Sequence, residues 1–323
     1  MIQIPRLKVA NLPTPVQALP RLSDHLGGPR LLVKRDDLTG LAFGGNKTRK
    51  LEFLLAEAQA HGAKTVITTG AVQSNHCRQT AAACAHLGFD CILVLTGEKP
   101  TSFTGNLLLD RLFKADIVWT SLDEREQKLS TTFQEAWQQG KRPYLIPYGG
   151  SNTTGAAAYT LAMKEWLEQG EHADWIVFAS SSGGTQAGLA AGAKLYGFKG
   201  NVLGISVDRS EAELKKHVSV LANETADALG EKLDLLDTDI LVSADYLGGG
   251  YGVMGAPEVE AIQLFASLEG LLLDPVYTGK AAAGLIDLIR KGYFQKDQTV
   301  LFWHTGGTPA LFSEKYADLA NPI

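Results

Sequence analysis

From residue 30 onwards, apolar residues fall into two rhythms that alternate along the chain. One rhythm is the unbroken apolar run: RLLVKR (30–35), TVITT (65–69), CILVLT (91–96), DIVWT (116–120), DWIVFAS (174–180), Val202 to Val207 and TVLFWH (299–304). The other recurs every three or four residues, as in Leu51, Leu54, Leu55 and Ala58, which share one helical face. The runs predict strands, with two weaker ones at 144–147 and 240–244. The helical rhythm predicts helices over 21–26, 48–61, 74–87, 107–113, 123–139, 155–170, 184–195, 211–228, 257–268, 279–291 and 308–316. Strands that are apolar on both faces suit a parallel sheet covered by helices on each side. The expected fold class is therefore α/β, two-domain, with mostly parallel sheets flanked by helices. Residues 48–160 are expected to form a smaller domain. Residues 1–47 and 161–323 form a larger one. The first thirty residues are proline-rich, and Leu12-Pro13-Thr14-Pro15-Val16 reads as extended or turning.

Composition narrows the function classes. Hydrophobic residues make up 45% and charged residues 20%, the usual balance of a globular protein. The net charge of −5 is spread without blocks, so no basic patch for nucleic acid is present. The N-terminus lacks a run of signal-peptide character and no stretch is apolar for about 18 residues, so a cytoplasmic protein without a membrane partner is expected. Cys77, Cys84 and Cys91 form no CxxC pair, which points to buried thiols and no metal centre.

Three strand-to-helix loops can carry chemistry. WIVFAS runs into SSGGT and then an alanine-rich helix, where unpaired N–H groups and the helix dipole favour an anion such as phosphate. A loop in which Thr185 simply caps the helix is the plainer alternative. The loop lacks GxGxxG and GK[ST], which argues against dinucleotides and nucleoside triphosphates. Gly70 to His76 (GAVQSNH) places Ser74, Asn75 and His76 at another helix start, more polar side chains than one cap needs. Lys47 follows Gly44-Gly45-Asn46; it is either a surface lysine or a nucleophilic amine whose pKa burial lowers. YLGGGY (246–251) can bring Tyr251 to a ligand, DPVYTGK (274–280) presents Tyr277, and HTGGT (304–308) presents Thr305. Each of these three is equally open to reading as plain loop.

The segments GGNKTRKLEF, GAVQSNHCRQTAA, LDPVYTGKAAAGL and LFWHTGGTPALF resemble the D-cysteine desulfhydrase and 1-aminocyclopropane-1-carboxylate deaminase family. These are pyridoxal-phosphate enzymes of the tryptophan-synthase-β fold type (fold type II), and the likeness spans nearly the whole chain. The resemblance implies that Lys47 is the lysine bonded to pyridoxal 5′-phosphate and the one that moves the Cα proton. It implies that Asn75 meets the ring 3′-oxygen, that Ser182, Gly183, Gly184 and Thr185 hold the phosphate, and that Thr305 meets the pyridine nitrogen. Ser74, Asn75 and His76 would hold the substrate carboxylate, with Ser74 also near the reacting carbon. Tyr277 would face the substrate and assist proton transfer or leaving-group departure. Cyclopropane-opening members typically have tyrosine followed by glutamate where this chain has Tyr277-Thr278, and glutamine where His76 stands. Both departures favour α,β-elimination, with D-cysteine giving pyruvate, ammonia and hydrogen sulfide. L-cysteate sulfo-lyase activity is the first alternative; cyclopropane opening, racemisation and dehydration follow, and a non-catalytic cofactor-binding protein is the remotest. The family also implies a homodimer.

Overall fold

The computed structural model describes residues 4–320; Met1 to Gln3, the start of the expected irregular N-terminal stretch, lie outside the described residues. In chain order the first half comprises β1 (Val16–Ala18), α1 (Pro20–Leu26), β2 (Arg30–Arg35), α2 (Asn46–Ala60), β3 (Thr65–Ala71), α3 (Asn75–Leu87), β4 (Asp90–Thr96), α4 (Gly105–Leu112), β5 (Asp116–Thr120), α5 (Arg125–Gln138) and β6 (Pro143–Leu145). The second half comprises α6 (Thr153–Glu168), β7 (Trp175–Ser180), α7 (Gly184–Tyr196), β8 (Asn201–Ser206), α8 (Glu211–Ala228), β9 (Leu241–Ser243), α9 (Ala256–Glu269), α10 (Thr278–Arg290) and β10 (Thr299–His304).

Two sheets organise these elements. The larger runs β1-β2-β10-β7-β8-β9 and the smaller β5-β4-β3-β6. Every pairing is parallel except β1 with β2. The apolar runs explain why. In the larger sheet, Leu31, Val33, Val177, Val300 and Phe302 pack to one side against Phe265 of α9 and Leu285 of α10. Their chain neighbours Leu32, Ile176, Leu301 and Trp303 pack to the other side against Tyr159, Met163 and Trp166 of α6. Side chains alternate along a strand, so both sets can be apolar only if both faces are covered. The smaller sheet repeats the pattern, with Val66, Leu93 and Leu95 under α2 and α3, and Ile67, Ile92 and Val94 under α5.

One expectation changes. The helix expected over 308–316 is instead a pair of 3-10 segments, Thr308–Phe312 and Glu314–Ala320. Ser313 between them is extended, with φ −84° and ψ 145°, which no helix can run through. The stretch that reads as extended or turning up to Val16 leads into β1, a three-residue antiparallel edge strand paired with Leu32 to Lys34. We propose that the smaller sheet and its helices form the smaller domain, with the trailing edge inside α6, which packs on both α2 and α7.

Parallel strands send their carboxyl ends in one direction. The loops after β2, β3, β7 and β10 therefore gather at one side and line a common cleft.

Candidate active site

The cleft is concave and partly enclosed, as small-molecule sites usually are. Lys47, Ser74, Asn75, His76, Ser182, Gly183, Thr185, Tyr277 and Thr305 all line it. Gly184 lies just behind Gly183 in the same loop. Tyr251 stands one side chain back, its hydroxyl 2.6 Å from that of Tyr277. Segments 45 to 305 residues along the chain thus meet in one place.

Lys47 sits on the first turn of α2, and an unusual loop delivers it there. Ala42, Phe43, Gly44 and Gly45 all have positive φ, at 47°, 67°, 62° and 125°. Left-handed backbone costs a non-glycine residue roughly 1–2 kcal/mol, so surrounding contacts must hold the shape. Arg78 donates to the Gly44 carbonyl at 2.9 Å, the Thr39 hydroxyl donates to that of Gly45 at 3.0 Å, and the Gly45 N–H donates to the Asp36 carbonyl at 3.0 Å. Neither Gly44 nor Gly45 has room for a Cβ: it would lie 2.1 Å from the Asp37 carbonyl oxygen or 2.7 Å from Gln79 Nε2. Asn46 then joins three parts of the site. Its N–H donates to Thr305 O at 2.9 Å and its side chain donates to Thr185 Oγ1 at 3.0 Å.

Burial lowers the Lys47 amine to about 8, against a partial opposing effect of its hydrogen bond with Lys50. More of it is therefore free amine near neutral pH than for an ordinary lysine. Lys50, one turn on and fully buried, is driven well below its usual value by burial and then by the Lys47 charge. Besides meeting the Lys47 amine, its Nζ donates to Gly149 O and Ser151 Oγ, both at 3.2 Å. Ser151 Oγ in turn accepts from the Gly184 N–H at 3.2 Å and lies 2.7 Å from Ser182 Oγ. A second buried amine thus stands behind the loop that starts α7.

That loop is built for an anion. Gly183, at φ 82°, caps α7 without a side chain, so the first-turn N–H groups after that of Gly184 are left without a side-chain cap. A Cβ on Gly183 would lie 2.5 Å from the His217 ring, and one on Gly184 2.6 Å from Ser151 Oγ. His217 on α8 lies 3.1 Å from the Ser182 carbonyl through Nε2. Carbonyl and following N–H point in opposite directions across a trans peptide, so this bond turns the Gly183 N–H toward the cleft. His217→Ala is expected to weaken pyridoxal phosphate binding about tenfold, the worth of one hydrogen bond, while unphosphorylated pyridoxal binds as before. Fluorescence titration of the cofactor-free protein with each compound checks this.

The second helix start belongs to α3. Ser74 Oγ accepts from the Cys77 N–H at 3.1 Å, which leaves the N–H groups of Asn75 and His76 directed out of the helix. These groups and the helix dipole suit a carboxylate. The His76 side chain does not. The Thr68 hydroxyl donates to Ile146 O at 2.9 Å, so it must accept from His76 Nε2, 2.8 Å away. Nδ1 is then an acceptor, buried with no protein partner. Burial, followed by the Lys47 and Lys50 charges, holds this imidazole neutral well below its usual range. His76 can therefore offer a carboxylate its backbone N–H only.

Tyr277 is aimed from below. Buried Asp274 accepts from the N–H groups of Val276, Tyr277 and Thr278 and from the Thr278 hydroxyl, at 2.7–3.1 Å. Burial, and then neighbouring Tyr251 and Tyr148, push the Tyr277 phenol well up, so it stays protonated. Tyr148 also lines the cleft and was not apparent from sequence. Lys50, Ser151 and Asn106 were likewise missed. The position of Lys50 three residues after Lys47, inside a helix expected to be half buried, was the one available signal.

The fold and the cleft define a fold-type-II, tryptophan-synthase-β-like pyridoxal-phosphate site. Two glycine-flanked helix starts, a buried amine of lowered pKa and a second buried amine behind the anion cradle fit the cofactor's phosphate and aldehyde. A family profile described as pyridoxal-phosphate dependent enzyme matches residues 7–306. The chain is 46% identical over 325 residues to D-cysteine desulfhydrases of Salmonella newport and Salmonella typhi, covering 97% of each chain. A crystal structure of an ACC deaminase homologue superposes with a TM-score of 0.89 at 38% identity, covering 98% of this chain and 97% of the other. A hydrogen sulfide-producing enzyme from Fusobacterium nucleatum, at 16% identity and a TM-score of 0.66 over 95% of this chain and 97% of the other, shares the fold. The chain belongs to the pyridoxal-phosphate dependent enzyme family, and pyridoxal 5′-phosphate is its cofactor. Among the described residues no helix is long and apolar enough to cross a membrane, and no group of three or more His, Cys, Asp or Glu could hold a metal ion. The three cysteines are buried and free.

Proposed function

We propose that this enzyme is a lyase that eliminates a sulfur-containing group from Cβ of a cysteine-like amino acid. D-cysteine is the favoured substrate, with pyruvate, ammonia and hydrogen sulfide as products. Its likeness to D-cysteine desulfhydrases over almost the full chain supports the substrate class. The observation that carries the choice of reaction is Thr278. It is fully buried, its hydroxyl donates to Asp274 Oδ1 at 2.8 Å, and it does not line the cleft. The family resemblance associates cyclopropane opening with a glutamate at this position; this chain has a neutral residue hydrogen-bonded to Asp274, which also accepts from the Tyr277 N–H.

The cofactor, when bound, supplies an electron sink for charge at the substrate Cα. This chain's residues choose what happens next. The N–H groups of Asn75 and His76, with Ser74, orient the substrate carboxylate. Lys47, freed when the substrate amine takes its place and favoured as a neutral amine by its lowered pKa, would take the Cα proton. Tyr277, kept protonated and hydrogen-bonded to Tyr251, donates toward the departing group. Fixed donors that meet growing negative charge favour the transition state over the ground state. L-cysteate, which would lose sulfite through the same steps, is the alternative substrate. We place the enzyme in the cytoplasm as a homodimer, in keeping with its composition and family.

Pyruvate together with sulfide or sulfite, measured on D-cysteine, L-cysteine, L-cysteate and 1-aminocyclopropane-1-carboxylate, tests the proposal. Sulfide from D-cysteine is the expected result. Turnover of the cyclopropane substrate alone would overturn it. In the same assay Tyr277→Phe is expected to lower turnover about a hundredfold, the usual worth of a positioned proton donor, with cofactor affinity changed less than threefold. Equal losses in both would make Tyr277 a packing residue.

A further inference from the structure

Asn75 can serve a ring oxygen only if its NH₂ group, not its carbonyl, faces the cleft. A terminal amide fits either way round, so something must choose. The choice is made by Asn106, at the start of α4 and fully buried. Asn106 Nδ2 lies 2.9 Å from Gln73 O, a backbone carbonyl that can only accept. The same Nδ2 lies 2.9 Å from the Asn75 side chain. Both of its hydrogens are therefore used, and the Asn75 atom facing it must be the acceptor, Oδ1. Asn75 Nδ2 is left on the far side. There it lies 2.8 Å from where a Cβ of Gly307 would be, beside the Thr305–Gly306 loop that lines the cleft. Asn106 is itself pinned: its N–H donates to Gln73 Oε1 at 2.8 Å, and Gln73 Nε2 donates to Thr104 O at 3.0 Å.

We propose that Asn106 is a positioning residue that locks the Asn75 amide as a donor toward the cofactor's ring oxygen. This rests on the reading that Asn75 meets that oxygen. A donor there stabilises the deprotonated oxygen, so it lowers the proton affinity shared between ring oxygen and Lys47 nitrogen. Asn106→Asp replaces the donor with an acceptor. The Asn75 amide then turns over and presents its carbonyl to the cleft.

The experiment is a pH titration of the visible absorbance of the bound cofactor in wild-type holoenzyme, Asn75→Ala, Asn106→Asp and the double variant. In Asn75→Ala and Asn106→Asp the midpoint is expected to rise by about one pH unit, the scale of one charge-assisted hydrogen bond spread over a proton equilibrium. The double variant is expected to rise no further than Asn75→Ala, because the two residues act through one bond. A normal midpoint in Asn106→Asp beside a raised one in Asn75→Ala, or fully additive shifts, overturns the proposal. An unmoved midpoint in Asn75→Ala removes the underlying reading of Asn75, and the proposal with it. Asn106→Ala, which deletes the donor without adding a charge, carries the same comparison if the aspartate variant does not fold.

Discussion

Replacing Lys47 with alanine is expected to lower turnover about a thousandfold or more, while the protein remains folded. Two proposed roles would be lost together: the attachment point for the cofactor and the base at Cα. The visible absorbance of the purified protein should vanish, leaving cofactor held only by the phosphate cradle and washed out by dialysis. Thermal unfolding of the cofactor-free protein should shift little. Lys47 is buried beside the second amine, Lys50, and removing one of two neighbouring groups that burial disfavours as cations costs the fold nothing electrostatically. Lys47→Arg should fail equally, since a guanidinium stays charged and cannot attack. Turnover retained in either variant would sink the assignment of the site.

The second large effect is expected at Asp36. This fully buried carboxylate accepts from Thr14 Oγ1 at 2.9 Å, from Arg49 Nε and Nη2 at 3.0 and 2.8 Å, from the Tyr159 hydroxyl at 2.5 Å and from Trp303 Nε1 at 2.8 Å. Its donors come from the N-terminal segment, α2, α6 and β10. Arg49 lies two residues after Lys47, and Trp303 two before Thr305. Asp36→Ala leaves the donors unpaired and the Arg49 charge half compensated by Glu165, 2.8 Å away. Breaking a buried ion pair from one side costs about 3–5 kcal/mol, to be read as a drop in the urea midpoint at unchanged slope. A loss below about 1 kcal/mol would show the network to be ornamental. Burial alone would raise the Asp36 pKa, but the Arg49 charge and hydrogen bonds outweigh it and hold it below the usual value. Its folded-state pKa is thus depressed, so its contribution is complete above the unfolded carboxylate range and fades as pH falls through the folded value. Asp36→Asn should flatten that acid limb of the stability profile.

The strands were legible because burial on both faces writes itself as an unbroken apolar run, and β10, from Thr299 to His304, begins and ends as the pattern predicts. The loops at their ends were legible because glycine and hydroxyl residues cluster there. What was hidden depends on distance along the chain. Asn106 is separated from Asn75 by 31 residues and reads as an ordinary helix start. Asp36-Asp37 reads as a solvated pair, although the two residues differ completely: Asp36 collects buried donors and Asp37 pairs with Arg35 at 2.7 Å. Lys50 looks like one more basic residue in KTRK until its surroundings show no carboxylate. At His76 the sequence shows a polar residue at a helix start but not its tautomer, which Thr68, on β3 and eight residues away, selects.

The run of left-handed residues before Lys47 makes movement through sequence space one-directional. Glycine at 42 or 43 relieves strain in the folded state, though it loosens the unfolded chain and returns part of the gain. A side chain at 44 or 45 meets a backbone carbonyl or the Gln79 amide, and one at 306 meets the Gly45 Cα at 2.7 Å. The loop can therefore accumulate glycines but cannot shed those it has without moving the lysine. Libraries built to retune this enzyme's substrate preference should leave residues 44, 45 and 306 untouched and diversify the tyrosine side of the cleft instead.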